Sequence, residues 1–370
     1  MKNNIEITDS KFVSKHFHGR IACEKEKYIL NLLQGTDLVP RIISCGDFSV
    51  SMDFIPGRTV SQLVADSTVP LEKLFRKLSD WVLGFNRLTE NIVLDDMNPR
   101  NFIFSPENSR ITGIDFESWH NGDSTENLAS VLVMILSVCF PQQEKDRLYS
   151  VINDYICTKT GISADILQSL AEKGLRSVNL RRRAMKNIRQ TDCVIIAGGK
   201  SSRMGSPKGL LEYKGHSFTD HIIYNTAVFD RQYISANTDE YNDFNCGIIK
   251  DIHKDCGPPG ALQAALSHCK SRQRFFIPCD MPFVLQDTVI RLFTEYDGNA
   301  DAVVVTDGEK VYPTLGIYKK SALPYIENQL KKGDYRLMHL LDKMKTVYIK
   351  VPYSCQLKNI NTKEEYSQLK

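Results

Sequence analysis

The run Cys193-Val-Ile-Ile-Ala197, passing without a break into Gly198-Gly-Lys-Ser-Ser-Arg-Met-Gly-Ser-Pro-Lys208, constrains this chain more than any other feature. A short, continuous apolar run of this kind reads as a strand buried on both faces. Glycines directly after such a strand let the backbone approach a ligand closely, with N–H groups free to point at phosphate oxygens. Ser201 and Ser202 add hydroxyl donors, and Arg203 and Lys208 supply the cationic charge that a triphosphate requires. Two common phosphate motifs are excluded, because the orders GxxxxGK[ST] and GxGxxG are both absent. From Cys193 onward, apolar strands alternate with amphipathic helices, which predicts an α/β fold with a mostly parallel sheet covered on both faces. Ligands of such sheets sit outside the carboxyl ends of the strands, where Gly198, Ser235, Asp251 and Asp280 would all be delivered.

Four further segments keep this company. Tyr233-Ile-Ser-Ala-Asn237 reads as a strand ending in small and polar groups, and Ile248-Ile-Lys-Asp251 as one ending in a carboxylate. Phe275-Phe-Ile-Pro-Cys-Asp-Met-Pro-Phe283 ends a buried strand on Asp280, and Asn359-Ile-Asn-Thr362 precedes Lys363-Glu-Glu-Tyr366. With the GG-x-S-x-R-M-G-x-x-K signature, these make Asp192 to Lys370 resemble the molybdenum cofactor guanylyltransferases. The resemblance implies a Rossmann-like three-layer nucleotidyltransferase domain that moves GMP from GTP to the terminal phosphate of molybdopterin, releasing pyrophosphate. It implies nucleotide contacts from Ile196, Ala197, Gly198, Gly199, Lys208, Ser235, Asn237 and Asp251, and Mg²⁺ held by Asp280. Arg203, Lys208 and Asp280 would carry catalysis. The nucleophile is already an anion, so no serine, cysteine or histidine need be activated. Implied partners are molybdopterin, the proteins of its biosynthesis and the molybdoenzymes that receive the product. Two departures stand out: Ser235 where the family often has Asn, and Gly257-Pro-Pro-Gly-Ala261 where it reads GP-x-AG. Cytidylyl transfer, sugar-phosphate nucleotidyl transfer and a non-catalytic nucleotide-binding role stay open as alternatives.

The first half has a different grammar. Asp95-Asp-Met-Asn-Pro-Arg-Asn101 followed by Gly113-Ile-Asp-Phe-Glu117 supplies a carboxylate for an acceptor hydroxyl, then an Asn and a second carboxylate for a metal. Asp96, Asn101 and Asp115 resemble, in spacing, the catalytic loop of kinases. By that resemblance Lys15, on a strand from Phe12 to Phe17, is the phosphate lysine and Glu26 its ion-pair partner. Met52-Asp-Phe-Ile-Pro-Gly57 resembles the hinge of small-molecule and lipopolysaccharide-type kinases. An α+β protein-kinase-like domain that takes ATP is therefore expected. Its departures are Leu94 two residues before Asp96, Glu117 after Asp115-Phe116, and no glycine-rich loop ahead of Lys15. Turnover and a purely regulatory role are both open.

At 370 residues the chain has room for two such domains, predicted as 1–187 and 188–370. Between them Arg176 to Gln190 is strongly basic and reads as a solvated helix end and linker. A net charge of +3 gives no footprint of a nucleic-acid binder. The ten cysteines form no CxxC pair and read as buried, reduced thiols. The most apolar stretch, Leu128 to Phe140, falls short of the roughly 20 residues a membrane span needs and reads as a buried helix. A cytoplasmic protein is expected.

Overall fold

A computed structural model describes residues 4–8, 11–17, 19–138, 140–198, 206–351 and 354–369. Backbone contacts divide the chain into two compact units that part between Asn179 and Leu180. Each unit has its own apolar core.

In the first unit β1 (Asn4–Thr8), β2 (Phe12–His16), β3 (Ile42–Gly46) and β4 (Ser49–Asp53) form an antiparallel sheet in the order β1-β2-β4-β3. Helix α1 (Arg20–Leu32) separates β2 from β3 and buries Cys23, Glu26, Ile29 and Leu30, the spacing of one helical face. The chain then runs through β5 (Arg58–Thr59), α2 (Val60–Asp66) and α3 (Leu71–Thr89) to β6 (Ile92–Leu94). A hairpin of β7 (Phe102–Ser105) and β8 (Arg110–Gly113) and a short β9 (Trp119–Asn121) follow. Helices α4 (Thr125–Ser137), α5 (Gln142–Thr160) and α6 (Ala164–Arg189) close the unit. The apolar stretch noted above begins in α4, where Asn127 to Ile135 are buried apart from the half-buried Ser130.

The basic run is helical from Arg176 to Arg189, as the second half of α6, so the helix end expected there is found and the linker is not. Leu167 and Ala171 of that helix enter the first core, and Ala184 and Ile188 enter the second.

The second unit is built on β10 (Asp192–Ile196), a hairpin of β11 (Glu212–Tyr213) and β12 (His216–Ser217), α7 (Phe218–Asn225) and β13 (Arg231–Ser235). It continues with β14 (Gly247–Ile249), α8 (Gly257–His268), β15 (Gln273–Pro278), α9 (Gln286–Glu295), β16 (Ala302–Thr306) and β17 (Val311–Lys319). The last elements are α10 (Leu323–Lys331), α11 (Leu337–Leu341), β18 (Thr346–Lys350) and α12 (Lys363–Ser367). Seven strands make one sheet, β14-β13-β10-β15-β17-β16-β18, in which only β17 runs against its neighbours.

Period-two alternation along β10 explains the layering. Cys193 and Ile195 face a core shared with α7 and α9, while Val194 and Ile196 face one shared with α8, α10 and α11. Helices therefore cover both faces of the sheet, as the sequence predicted. At the opposite end of β10 the buried Asp192 is matched by Arg231 Nε at 2.5 Å and the Ser271 hydroxyl at 2.6 Å. A buried carboxylate without such partners would be costly to the fold. Helix α8 begins at Gly257, with Pro258 and Pro259 in its first turn, where the missing N–H costs nothing.

Candidate nucleotidyl-transfer site

Backbone hydrogen bonds knit the strand tips at the carboxyl edge. Ala197 N donates to Ser235 O at 2.9 Å, Cys279 N to Ile196 O at 3.0 Å, and Ala236 N to Ile249 O at 3.0 Å. Four consecutive tips, β14, β13, β10 and β15, are thereby brought into one row. Asp280 follows β15 by two residues, and its carboxylate is mostly buried. Lys208 opens a single 3-10 turn, Lys208–Leu210, that docks on α7 through a 2.8 Å bond from the Thr219 hydroxyl to Gly209 O. From there its ammonium reaches Asp280 Oδ2 at 3.3 Å and Asn361 Oδ1 at 2.5 Å.

The segment ahead of α12 completes the site. Ile360 N donates to Asp280 O at 2.9 Å, and Asn359 Nδ2 lies 3.4 Å from Asp280 Oδ1. Asn361 is fixed in turn, because its N–H and that of Thr362 both donate to Glu365 Oε2, at 2.6 and 3.0 Å. Those backbone donors hold the Glu365 carboxyl below its ordinary range. The capping box of α12, Thr362 with Glu365, is thus also the clamp on Asn361. Sequence alone implies no separate role for Asn359 and Asn361 beyond their place in the segment ahead of Lys363. Their spacing of two across Ile360 was the available signal, since residues two apart on extended chain share a face.

Burial pushes the Asp280 carboxyl above its ordinary value, outweighing the pull of Lys208. A charge held at such a cost is relieved by a cation. Asn359 Oδ1 is buried with no hydrogen-bond partner among the described residues. One carboxylate and one amide oxygen are hard donors of the kind Mg²⁺ takes alongside water and substrate phosphate, so these residues fit the implied metal.

The other expected residues fall as follows. Asn237, two residues past β13, and Asp251 lock onto each other, Asn237 Nδ2 to Asp251 Oδ2 at 2.8 Å and Asp251 N to Asn237 Oδ1 at 3.0 Å. Ser235 is at the row of tips, but its hydroxyl is buried and unpartnered among the described residues. Ile196 is buried at the end of β10, with Ala197 half-buried and Gly198 exposed beyond it. Gly199 and Arg203 lie outside the described residues. In the first unit Lys15, Glu26 and Asp115 are brought into direct contact, with the loop of Asp96 and Asn101 bonded against the segment of Asp115.

An ammonium for phosphate charge and a carboxylate kept for a cation, at the carboxyl edge of a three-layer sheet, are the means of phosphate-ester chemistry on a nucleotide. The chain is a nucleotidyltransferase. Residues 193–347 match the model of the MobA-like NTP transferase domain. The molybdenum cofactor guanylyltransferase of Vibrio cholerae is 33% identical over 185 residues, covering 48% of this chain and 90% of that protein. That of Vibrio parahaemolyticus is 34% identical over 186 residues, 48% of this chain and 94% of its own. Through its second unit, this chain belongs to the molybdenum cofactor guanylyltransferase family. Among solved structures, molybdopterin-guanine dinucleotide biosynthesis protein A of Archaeoglobus fulgidus is 21% identical, with 48% of this chain and 96% of that one covered and a TM-score of 0.43.

Proposed function

We propose that the second unit transfers GMP from GTP to the terminal phosphate of molybdopterin. The observation that carries this is the Lys208–Asp280 pair at the strand edge, in a chain whose relatives are named for guanylyl transfer to the molybdenum cofactor. An oxygen of the acceptor's phosphate attacks the α-phosphorus of GTP, the bond from that phosphorus to the bridging oxygen breaks, and pyrophosphate leaves. The attacking oxygen is anionic, so catalysis rests on positioning and charge neutralisation. Lys208, oriented by Asn361, swings its charge from Asp280 onto the phosphates. Asp280, ionised, and Asn359 would hold Mg²⁺, which supplies Lewis-acid neutralisation of the phosphate oxygens. Asn237 and Asp251, rigid through their mutual bonds, face the nucleoside as a preformed pair.

Ser235 and the exchanged Gly260-Ala261 lie where the base would be read, so base choice is the part to test. Purified chain supplied with molybdopterin and Mg²⁺ should release pyrophosphate with GTP and yield the guanine dinucleotide product by mass spectrometry. Faster release with CTP would replace guanylyl by cytidylyl transfer.

A further inference from the structure

A cavity of about 650 Å³ lies in the first unit, inside the range of small-molecule sites, roughly 300–1,000 Å³. Three connections wall it: the segment joining α1 to β3, the one joining β4 to β5, and the turn between β7 and β8. Lys15, Asp115 and the loop of Asp96 and Asn101 take no part in it, and the nucleotidyl-transfer site is in the other unit.

The walls are tied to one another. Asp53 N donates to Arg41 O at 2.9 Å, and the Ser105 hydroxyl donates to Pro56 O at 2.6 Å. Beside them Gly113 N and the Trp81 indole N–H both donate to Leu38 O at 2.8 Å. Gly57 lies flat against β7, where a Cβ would collide with Phe104 O. A cavity so braced asks little reorganisation of itself when a ligand enters.

Its lining sorts by chemistry. Val39 and Pro40 are buried, and with Ile55 they give an apolar surface. Around it stand Arg41, Arg110, Asp37, Asp53 and Glu107, two cations against three carboxylates. Four of these are paired, Arg41 Nε with Asp53 Oδ2 at 3.0 Å and Arg110 with Asp37. Glu107 has no ion pair or side-chain hydrogen bond among the described residues. Arg110 meets Asp37 through one nitrogen, so its fork of five donors has others to offer. Both partners are exposed, and a pair of that kind adds little to the fold, so sharing it with a ligand loses little.

Glu107 and Arg110 share one tight turn, fixed where Arg110 N donates to the Asn108 side chain at 3.1 Å. A carboxylate and a guanidinium this close match an ammonium and a carboxylate borne on one carbon. The apolar surface beside them matches a hydrocarbon or aromatic side chain. A bare cation or anion would meet one of the two charges and leave that surface to water.

We propose that this cavity binds a free α-amino acid with an apolar side chain. Its ammonium meets Glu107, its carboxylate meets Arg110, and its side chain covers Val39, Pro40 and Ile55. Binding links the α1–β3 connection to the β7–β8 turn and stiffens the junction between the first unit's sheet and its hairpin.

The test uses the full chain, with leucine, methionine and phenylalanine as probes in titration calorimetry, thermal denaturation and hydrogen exchange. At least one should bind, raise the unfolding temperature as its concentration rises, and slow exchange in residues 35–41 and 105–110. Its decarboxylated amine and its N-acetyl derivative should each bind about tenfold more weakly or worse. The amino acid itself should weaken as much on Glu107→Gln and on Arg110→Ala, the loss of one charge-assisted bond. Both positions are exposed, so the circular dichroism spectrum should not change. Failure of all three probes to bind, binding that leaves those two segments unprotected, equal affinity for the amine or the N-acetyl derivative, or binding indifferent to the two substitutions would each overturn the proposal.

Discussion

Lys208 is held between a carboxylate and an amide oxygen, and it must exchange at least one of them for a phosphate. Removing it leaves both the α-phosphate charge and Asp280 without a cation. Lys208→Ala should lower kcat/KM for pyrophosphate release by about 10²- to 10³-fold, the scale of one lost electrostatic donor, with the circular dichroism spectrum unchanged. Asp280 makes a different prediction, because its proton is bound more tightly in the fold than in the unfolded chain. A carboxyl raised in this way contributes stability below its unfolded value, near about pH 4, and loses that contribution as pH rises through the folded value. Ionised Asp280 therefore costs stability at neutral pH. Asp280→Asn should abolish transfer yet melt no lower than the parent at neutral pH, and any advantage should shrink as the pH is lowered toward the unfolded value. Thermal denaturation across that range, without Mg²⁺, measures it. A melting temperature well below the parent's at neutral pH would contradict this account of the site.

At the scale of elements, the 3-10 turn of Lys208 works because Gly209 has no side chain. A Cβ there would lie 2.6 Å from the Thr219 hydroxyl and 2.8 Å from the Tyr241 hydroxyl, both buried. Gly209→Ala should push the turn off α7, cost about 1–3 kcal/mol as overpacking does, and reduce transfer through displacement of Lys208. Gly215→Ala, whose Cβ would meet nothing but whose φ of +80° strains any side chain by about 1–2 kcal/mol, should cost stability without reducing transfer.

Elements differ in how far the sequence reveals them. The strand β10, with its apolar run and glycine stop, was legible because its signal is local. Lys208 and Asp280 were legible as single groups for the same reason. Their clamp was not, since Asn361 meets Lys208 across 153 residues of chain, and nothing local announces a contact so distant. The reversed direction of β17 escaped as well, although the short Asp307-Gly-Glu-Lys310 turn after β16 hints at a hairpin. Asn127 escaped because a polar residue inside an apolar helix reads as a flaw until its three hydrogen bonds are seen.

At the scale of the whole molecule, the basic run shows what charge can and cannot report. It marks a solvated face, but a solvated helix and a linker share that composition, and here it is α6. The consequence concerns where the second unit starts. A fragment beginning at Ile188 discards Ala184 and Met185, which pack into the core under the sheet. A fragment beginning at Leu180 keeps them and should be more stable by about 2 kcal/mol, the worth of such burial, read as a higher midpoint in urea. Equal midpoints would show that α6 adds nothing to this core. No helix among the described residues is long and apolar enough to cross a membrane.

On the proposed function, the second unit makes a nucleotide-linked molybdopterin using Lys208 and Asp280. Pyrophosphate release with molybdopterin as acceptor, compared for GTP and CTP in the parent chain and in Asp280→Asn, tests it most directly. Guanylyl transfer through Asp280 requires release with GTP well above CTP, dependent on Mg²⁺ and lost in the variant. Release that persists in Asp280→Asn, or that prefers CTP, would contradict it.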